Sequence, residues 1–280
     1  MAELYIVSTP IGNLTDITYR AVEVLNSVDR VLAEDTRRTS ILFRHYGIRT
    51  PLVSAHSHNE AARTQQLLEW LAAGERIALV SDAGTPLLSD PGARIVQTVV
   101  SAGYRVTPIP GASALLTALV ASGLSPEPFT FFGFPPRSGR DRTALLERLR
   151  DLDHTAVLYE SPNRVVRFLE DLVECCGRDR MVVVARELTK VHETFVRGTL
   201  SEVVAYYASG PPRGEVVVML AGAVAAEPEA ADAEQLVREL LASGHSPRDA
   251  AREAARRIGV GRNQAYEIAL SLSRQEGHSE

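Results

Sequence analysis

The sequence predicts a protein of α/β class, in which a parallel sheet is covered by helices on both faces. Short apolar runs alternate with helical patterns along the first 122 residues, and this alternation is typical of parallel strands joined by crossover helices. Residues 77–80 are apolar at every position, as expected for a strand buried on both faces. With 280 residues, the chain is long enough for two domains and an appendage.

The first 122 residues form the predicted N-terminal α/β domain. Its strands are predicted at residues 4–7, 31–33, 52–54, 77–80 and 106–109. Its helices are predicted at residues 18–27, from residue 37, and at 61–73, 92–102 and 112–121. Gly74 is the predicted C-cap of the third helix, because glycine readily adopts the left-handed conformation that ends helices.

A second α/β domain is predicted at residues 123–224, with the turn-rich segment SGLSPEP at the boundary. Its strands are predicted at 130–134, 156–159, 181–185, 194–197 and 216–221, and its helices at 140–150, 164–175 and 201–207. The third and fourth of these strands are too close for a crossover helix, so we expect a mixed sheet. An acidic stretch at 223–234 then leads to a helical module at 231–280, which is either a helix-turn-helix or a packing appendage.

The composition argues against several other classes. Cys175 and Cys176 are adjacent, so they offer neither a disulfide framework nor a metal-ligand spacing. His56 and His58 lack a third candidate ligand, and no metal is predicted. The chain begins without the features of a signal peptide, and no apolar run approaches the roughly 18 residues of a membrane span. We therefore expect a cytoplasmic protein.

Four turn-rich segments follow predicted strands, and they read STPIGN, SDAGTP, PGASA and YESPNR. Ligands of open α/β sheets bind beyond the carboxyl ends of the strands, and small residues let the backbone approach a ligand closely. The glycine patterns of dinucleotide-binding domains, P-loops and nucleophile elbows are absent from the sequence. The segments therefore predict a shared ligand cleft that is none of these common types.

Arginine supplies almost all of the positive charge. Lys190 is the only lysine among the 30 cationic residues, which suggests a position that requires a compact ammonium, although chance is the alternative. Arginines cluster at residues 37–49, 137–150 and 248–262. Such clusters can hold phosphates even on a chain with a net charge of −5. The alternative is that they form solvated helix faces.

Nine motifs, taken in order, carry a family resemblance: LYIVSTPIGNLTDIT, AEDTRRTSILFRHYGI, SHNE, ALVSDAGTPLLSDPG, PIPGASALLTAL, FFGFPPR, LYESPNR, ARELTKVHE and RGE. As a set they resemble the 16S ribosomal RNA (cytidine-2′-O)-methyltransferase family of the tetrapyrrole-methylase superfamily. The resemblance runs from about residue 4 to residue 220. It implies two α/β domains with S-adenosylmethionine between them, a homodimer, and a ribose-methylated cytidine in the decoding region of the small ribosomal subunit.

The resemblance also implies site residues. The implied cofactor contacts are Pro10, Ile11, Gly12, Ser81, Asp82, Ala83, Thr85, Ser113, Ala114, Tyr159, Glu160 and Leu188. A ribose hydroxyl is a weak nucleophile, so a nearby base or cation should assist it. The candidate bases are Asp35, Glu160, Glu187 and Glu193, with Lys190 as a polarising cation. The candidate phosphate contacts are Arg37, Arg38, Arg137, Arg140 and Arg164.

The first and fourth strand-end segments depart from the tetrapyrrole branch of the superfamily. That branch usually has a glycine-rich first loop and a Gly-Asp-Pro turn, where this chain has STPIGN and SDAGTP. The departure favours 16S rRNA as the substrate. Two alternatives stay open, a methyltransferase acting on a tetrapyrrole-type small molecule and a non-catalytic RNA-binding factor of ribosome assembly.

Overall fold

A computed structural model describes residues 2–210, 212–224, 230–258 and 260–276. The chain forms two units, Met1–Ala223 and Val224–Glu280. The first unit holds two five-stranded sheets, whereas the described residues of the second unit are largely helical. Of the described helices, none has both the length and the apolar character that crossing a membrane requires.

The first sheet is parallel throughout and is covered on both faces, as the sequence predicts. Its strands are β1 (Glu3–Val7), β2 (Arg30–Ala33), β3 (Leu52–Ser54), β4 (Arg76–Val80) and β5 (Arg105–Ile109). Its helices are α1 (Tyr19–Ser27), α2 (Thr36–Tyr46), α3 (Glu60–Ala72), α4 (Ala93–Ser101) and α5 (Ala114–Ser122). The strand order is β3-β2-β4-β1-β5. Alternate strand residues point to opposite faces, so Ile77 packs with Leu67 and Ile95, whereas Ala78 packs with Leu25 and Phe43.

The second sheet is mixed, as the short link between two of its strands predicts. Its strands are β6 (Phe129–Phe131), β7 (Thr155–Glu160), β8 (Met181–Arg186), β9 (Thr194–Thr199) and β10 (Val216–Leu220), and its helices are α6 (Arg140–Asp151), α7 (Val165–Cys176) and α8 (Leu200–Tyr206). The order is β6-β7-β10-β8-β9, with only the β6–β7 pair parallel. Val216 pairs with Glu160 and with Arg186. The amino end of β10 therefore lies beside the carboxyl ends of β7 and β8.

Helix α5 connects the packing of the two sheets. One face of the second sheet packs on α6, α7 and α8. Its other face, which includes Val157, Val183 and Val217, packs on Leu115 and Leu119 of α5. Both sheets therefore belong to one packed unit, and the division into domains at residue 122 stays a prediction.

Several predicted boundaries shift for local reasons. Helix α5 begins at Ala114 and not at residue 112, because Ser113 is extended, with φ −145°. Strand β6 ends early, since Gly133 turns the chain with φ +63°. The C-cap of α3 is Ala73, and Gly74 follows it with φ +91°. These changes move element ends and leave the order of elements as predicted.

The second unit contains α9 (Ala230–Ala242), α10 (Pro247–Ile258) and α11 (Arg262–Glu276). Its core is built largely from alanines, among them Ala250, Ala254 and Ala265. Several arginines of the predicted 248–262 cluster pair within α10, as Arg256 does with Glu253. Residues 225–229 of the predicted acidic linker lie outside the described part of the chain.

Candidate active site

Three of the four predicted ligand loops are hydrogen-bonded together at the carboxyl edge of the first sheet. The amide of Thr9 donates to the carbonyl of Gly84 at 2.9 Å, and the amide of Gly84 donates back to Thr9 at 3.0 Å. The hydroxyl of Thr85 donates to the carbonyl of Ala112 at 3.1 Å. The loops after β1, β4 and β5 therefore form one continuous wall.

The loop after β4 holds an unusual backbone shape. Leu87 and Ser89 have φ values of 74° and 69°, in the left-handed region that side chains with a Cβ rarely adopt. The Glu60 carboxylate accepts a hydrogen bond from the amide of Gly92 at 3.0 Å and so ties the far end of this loop to α3. Strained backbone of this kind concentrates at ligand sites and switch regions.

A cavity of about 430 Å³ lies between this wall and the second sheet. We call it the larger cavity. Its lining includes nine of the residues implied as cofactor contacts: Ile11, Asp82, Ala83, Thr85, Ser113, Ala114, Tyr159, Glu160 and Leu188. Other lining residues were not among the individual contacts that the resemblance implies, although some lie in the predicted ligand loops: Glu34, Gly84, Leu88, Ser89, Asp90, Phe134, Ser161, Pro162, Gly214, Glu215, Val216 and Val217.

Carboxylates crowd one side of the larger cavity. Burial and the negative charges of Asp82 and Asp90 raise the pKa of Glu34. Burial also raises the pKa of Asp90, with a further contribution from Asp82. The Asp82 carboxylate accepts the amide of Asp35 at 2.9 Å and lies 3.6 Å from the guanidinium of Arg38. Crowded carboxylates whose charge is poorly compensated favour a cationic ligand.

A second cavity of about 220 Å³ adjoins the larger one, and we call it the smaller cavity. Both cavities share a wall of Ile11, Arg38, Asp82, Ala83 and Glu215. The remaining implied cofactor contacts, which are Pro10, Gly12 and Ser81, line the smaller cavity together with Lys190. Every residue implied as a cofactor contact therefore lines one or both of two adjoining spaces.

Lys190 is held by two carboxylates at the smaller cavity. Its Nζ donates to Oε1 of Glu187 at 2.9 Å and to Oε2 of Glu215 at 3.1 Å. Burial disfavours the charge of Lys190, but these two hydrogen bonds outweigh it, so its pKa is raised. The hydrogen bond from Lys190 lowers the pKa of Glu187. The group is thus a fixed ammonium at neutral pH and not a proton acceptor.

Close packing holds the loop between β8 and β9, which carries Lys190, against the loop after β1. A Cβ on Gly12 would lie 2.6 Å from Cγ of Lys190 and 2.9 Å from the carbonyl of Leu188, so only glycine allows this approach. The amide of Asn13 donates to Oγ1 of Thr189 at 3.0 Å. The Glu193 carboxylate accepts the amide of Thr189 at 2.7 Å from the other side.

Three of the predicted bases are engaged in structural bonds. Asp35 caps α2 and forms a two-fold ion pair with Arg37, which lowers its pKa to about 2, and it lines neither cavity. Glu160 is buried and accepts from the amide of Ser161 at 2.7 Å. Glu193 also lines neither cavity and holds the loop as described. Catalytic roles for these three stay predictions, and their hydrogen bonds favour structural roles.

The predicted phosphate contacts divide into arginines that are hydrogen-bonded to a described carboxylate and arginines that are not, with Arg38 in the second group at 3.6 Å from Asp82. Arg38 lines both cavities, and Arg137 and Arg140 are exposed at the start of α6. Arg164 donates to Glu160 at 3.1 Å and to the carbonyl of Pro135 at 2.7 Å, so it ties two loops together. Arg37 is occupied by Asp35. The geometry therefore favours Arg38, Arg137 and Arg140 over the other two.

The two histidines of SAHSHNE lie outside both cavities. The His56 and His58 rings are 5.9 Å apart in an edge-to-face arrangement. Within the described residues, no three or more His, Cys, Asp or Glu side chains are grouped so that they could hold a metal ion.

Comparison with known families agrees with this architecture. Residues 3–204 match the model of the tetrapyrrole (corrin/porphyrin) methylases. The chain belongs to this family. Residues 227–273 of this methylase match a further model, described as the RsmI C-terminal HTH domain.

Two relatives resemble this methylase over almost its whole length. The ribosomal RNA small subunit methyltransferase I of Synechocystis sp. is 46% identical over 275 residues, which cover 97% of this chain and 99% of that protein. The protein of the same name from Bacillus subtilis is 43% identical over 274 residues, covering 95% and 94% respectively. Among solved structures, a diphthine synthase shares the fold at 19% identity, with a TM-score of 0.63 over 79% of this chain and 90% of that one.

Proposed function

We propose that this methylase transfers a methyl group from S-adenosylmethionine to the ribose 2′-oxygen of a cytidine in 16S rRNA of the small ribosomal subunit. The observation that carries the proposal is the 46% identity, over 97% of the chain, to a ribosomal RNA small subunit methyltransferase I. The match to the RsmI C-terminal HTH domain extends the similarity beyond the methylase fold. A small-molecule methyltransferase of the tetrapyrrole type has no such support.

The larger cavity fits the donor in size and in charge. About 430 Å³ falls within the usual range for sites of small organic ligands. S-adenosylmethionine carries a sulfonium and an ammonium, and Glu34, Asp82 and Asp90 offer carboxylates that suit such cations. Leu88, Phe134, Val216 and Val217 supply apolar surface in the same cavity.

The smaller cavity suits the acceptor ribose. Its volume of about 220 Å³ is below the usual range for a whole cofactor, but it adjoins the larger cavity through a common wall. Arg38 and Lys190 line it, and these cations match the phosphates that flank a ribose. A nucleotide must be splayed out of its stack to enter such a space, which favours single-stranded or distorted RNA.

The residues of the smaller cavity supply the remaining chemistry. When bound, S-adenosylmethionine supplies an activated methyl group, so the protein mainly has to align the two reactants. The Lys190 ammonium, held by Glu187 and Glu215, donates a hydrogen bond to the 2′-oxygen and stabilises the negative charge that develops there. Glu215 reaches both cavities and accepts the hydroxyl proton as the carbon–oxygen bond forms, the methyl–sulfur bond of the donor breaks and the neutral thioether leaves. Solvent then takes the proton from its partly exposed carboxylate.

Methylation with a labelled donor tests this assignment directly. The full-length protein is incubated with assembled small subunits, naked small-subunit rRNA or a tetrapyrrole precursor, and the labelled RNA is digested to nucleosides. We expect the label on the ribose of cytidine. Label on a base, or on the pigment alone, would overturn the proposal.

A non-catalytic role in ribosome assembly is the competing function. Calorimetric titration with S-adenosylmethionine separates the two, since a protein that only binds RNA has no use for the donor. We expect saturable binding with one site per chain, and absence of binding favours the assembly factor.

A homodimer, which the family resemblance implies, stays a prediction. Leu116 and Val120 stand one helical turn apart on α5 and are 50% and 77% exposed in this single chain. Exposed apolar side chains of this kind are often covered by a partner. Sedimentation equilibrium at several protein concentrations measures the oligomeric state.

A further inference from the structure

A third cavity, of about 390 Å³, lies where β8 ends and β9 begins, beside the carboxyl end of α8. The described residues that line it are Arg186, Thr194, Val196, Tyr206, Tyr207, Gly210, Pro212 and Arg213. Two of these residues are arginines and none is acidic. This composition contrasts with the larger cavity, where carboxylates prevail, and it points to an anionic ligand.

Arg186 is held in place by uncharged acceptors. Its guanidinium donates to Oγ1 of Thr194 at 3.1 Å, to the carbonyl of His192 at 3.2 Å and to the carbonyl of Arg213 at 3.3 Å. The adjacent carboxylate of Glu187 is hydrogen-bonded to Lys190. Among the described residues, no carboxylate is hydrogen-bonded to Arg186, so its positive charge is fixed in position and is available to an external anion.

Tyr206 adds an aromatic surface beside these arginines. Its side chain is 61% exposed, although it is large and partly apolar. Its ring meets that of Tyr207 edge to face, with 5.1 Å between centroids, and Tyr207 is only 6% exposed. The buried ring thus supports the exposed one, which leaves a face of Tyr206 available for stacking.

The chain itself connects the third cavity to the other two. Arg213 lines the third cavity, Gly214 the larger one, and Glu215 both the larger and the smaller ones. Two residues of extended chain span at most about 7 Å. The third cavity lies on the face of the second sheet that carries α8, since Val196 and Tyr207 pack in that core, whereas the larger cavity lies on the face that packs on α5. A ligand chain that occupies both must therefore pass around the carboxyl end of β8.

We propose that the third cavity binds a nucleotide of the same single-stranded RNA, outside the methylated cytidine, an inference that rests on the proposed function. The base stacks on Tyr206, and Arg186 and Arg213 hold its phosphate. Single-stranded RNA is recognised through aromatic stacking and arginine contacts of this kind, and phosphate contacts make the binding sensitive to salt. The site fixes the strand on one side of the target, so the ribose enters the smaller cavity in a defined orientation.

Fluorescence anisotropy with the full-length protein and labelled oligocytidylate RNA tests the site. We expect Tyr206→Ala to weaken binding about tenfold, whereas Tyr206→Phe, which keeps the ring, binds like the unsubstituted protein. Arg213→Gln should weaken binding and lower the slope of log affinity against log salt by about 0.7. Arg178→Gln is the matched control, because Arg178 is exposed in the link before β8, at the opposite end of that strand from Arg186.

Each result bears on one conclusion. If RNA affinity and thermal midpoints are unchanged in Tyr206→Ala and Arg213→Gln, the third cavity does not bind the nucleotide. The proposed methyl transfer is not contradicted by that result. Affinity lost for intact small subunits but not for free RNA indicates docking of a ribosomal protein and also overturns it. If no RNA is methylated, yet RNA affinity depends on Tyr206, then the proposed reaction is wrong and the nucleotide site stands.

Discussion

The larger and the smaller cavities share a wall but differ in the charges around them. In the larger cavity the described lining includes Glu34, Asp82, Asp90, Glu160 and Glu215, against Arg38 alone. In the smaller cavity Asp82 and Glu215 are matched by Arg38 and Lys190. Burial and mutual repulsion raise the pKa of Glu34 and Asp90, whereas the pKa of Lys190 is raised by its two carboxylate partners.

Under the proposed function, this difference would let one cleft receive two reactants of opposite charge. A cationic donor is attracted to the crowded carboxylates, and a phosphate-flanked ribose is attracted to the ammonium and guanidinium next to them. Neither reactant has to displace the other from its preferred position. The substitutions that follow separate the two roles.

Replacing Lys190 should produce the largest effect. We expect Lys190→Ala to lower turnover about 100-fold or more, as the loss of a group that stabilises developing negative charge commonly does, with no change in donor affinity. Single-turnover kinetics and donor titration measure the two quantities. Lys190→Arg keeps the charge but not the compact shape, so we expect an intermediate rate. Equal losses of turnover and donor affinity would place Lys190 in the donor site and contradict its assignment to the ribose site in the smaller cavity.

Gly12→Ala should disturb the packing that positions Lys190. The added methyl group would lie 2.6 Å from Lys190 Cγ and 2.8 Å from Thr189 Oγ1, so we expect a loss of about 1–3 kcal/mol in the free energy of unfolding and a lower turnover. Urea denaturation measures the former. The control is Gly261→Ala, where a Cβ meets no other atom closer than 4.0 Å. Similar losses of stability and turnover in both variants would show that the close contact between Gly12 and Lys190 does not position the site.

Asp82 tests the larger cavity. We expect Asp82→Ala to weaken donor binding about tenfold, the effect of roughly 1.4 kcal/mol, and to weaken RNA binding less. Asp82→Asn retains an acceptor for the amide of Asp35, so it separates the loss of charge from the loss of the hydrogen bond. Calorimetry for the donor and anisotropy for RNA give the two affinities. The reverse ordering would mean that the donor lies elsewhere.

Glu34→Gln should give the smallest change in the free energy of unfolding, and the sign of that change depends on pH. Burial first, then Asp82 and Asp90, raise the pKa of Glu34 above 4.5, so its contribution to stability is present below that value and is lost as the pH rises through the raised pKa. At neutral pH the variant should be more stable by less than about 1 kcal/mol and bind the donor more weakly. Urea denaturation at acidic and neutral pH checks the trend, and a variant that is less stable at neutral pH would contradict it.

The strand-end loops could be predicted because geometry leaves them little freedom. Parallel strands bring their carboxyl ends to one edge, so the segments after β1, β4 and β5 had to meet. The choice between neighbouring acids could not be made in this way. Glu34 and Asp35 both follow β2, and adjacent residues point to different sides. The structure places Glu34 at the larger cavity and gives Asp35 the capping of α2.

Glu215 is absent from the predicted site residues for a topological reason. It precedes β10, and the residue before a strand would lie at the far edge if the sheet were parallel. Strand β10 instead runs antiparallel between β7 and β8, so its amino end enters the site. Strand order in a mixed sheet depends on long-range pairing, which local sequence patterns do not encode.

Gly214 and Glu187 occupy the same small region beside Lys190. A Cβ at Gly214 would overlap the carboxylate of Glu187, and both residues have positive φ values, of 84° and 52°. The two positions are therefore coupled: a side chain at 214 is compatible only with a shorter residue at 187. Across related chains we expect this pair to vary together or not at all. Directed evolution of this enzyme would then have to shorten residue 187 before, or together with, any change at 214.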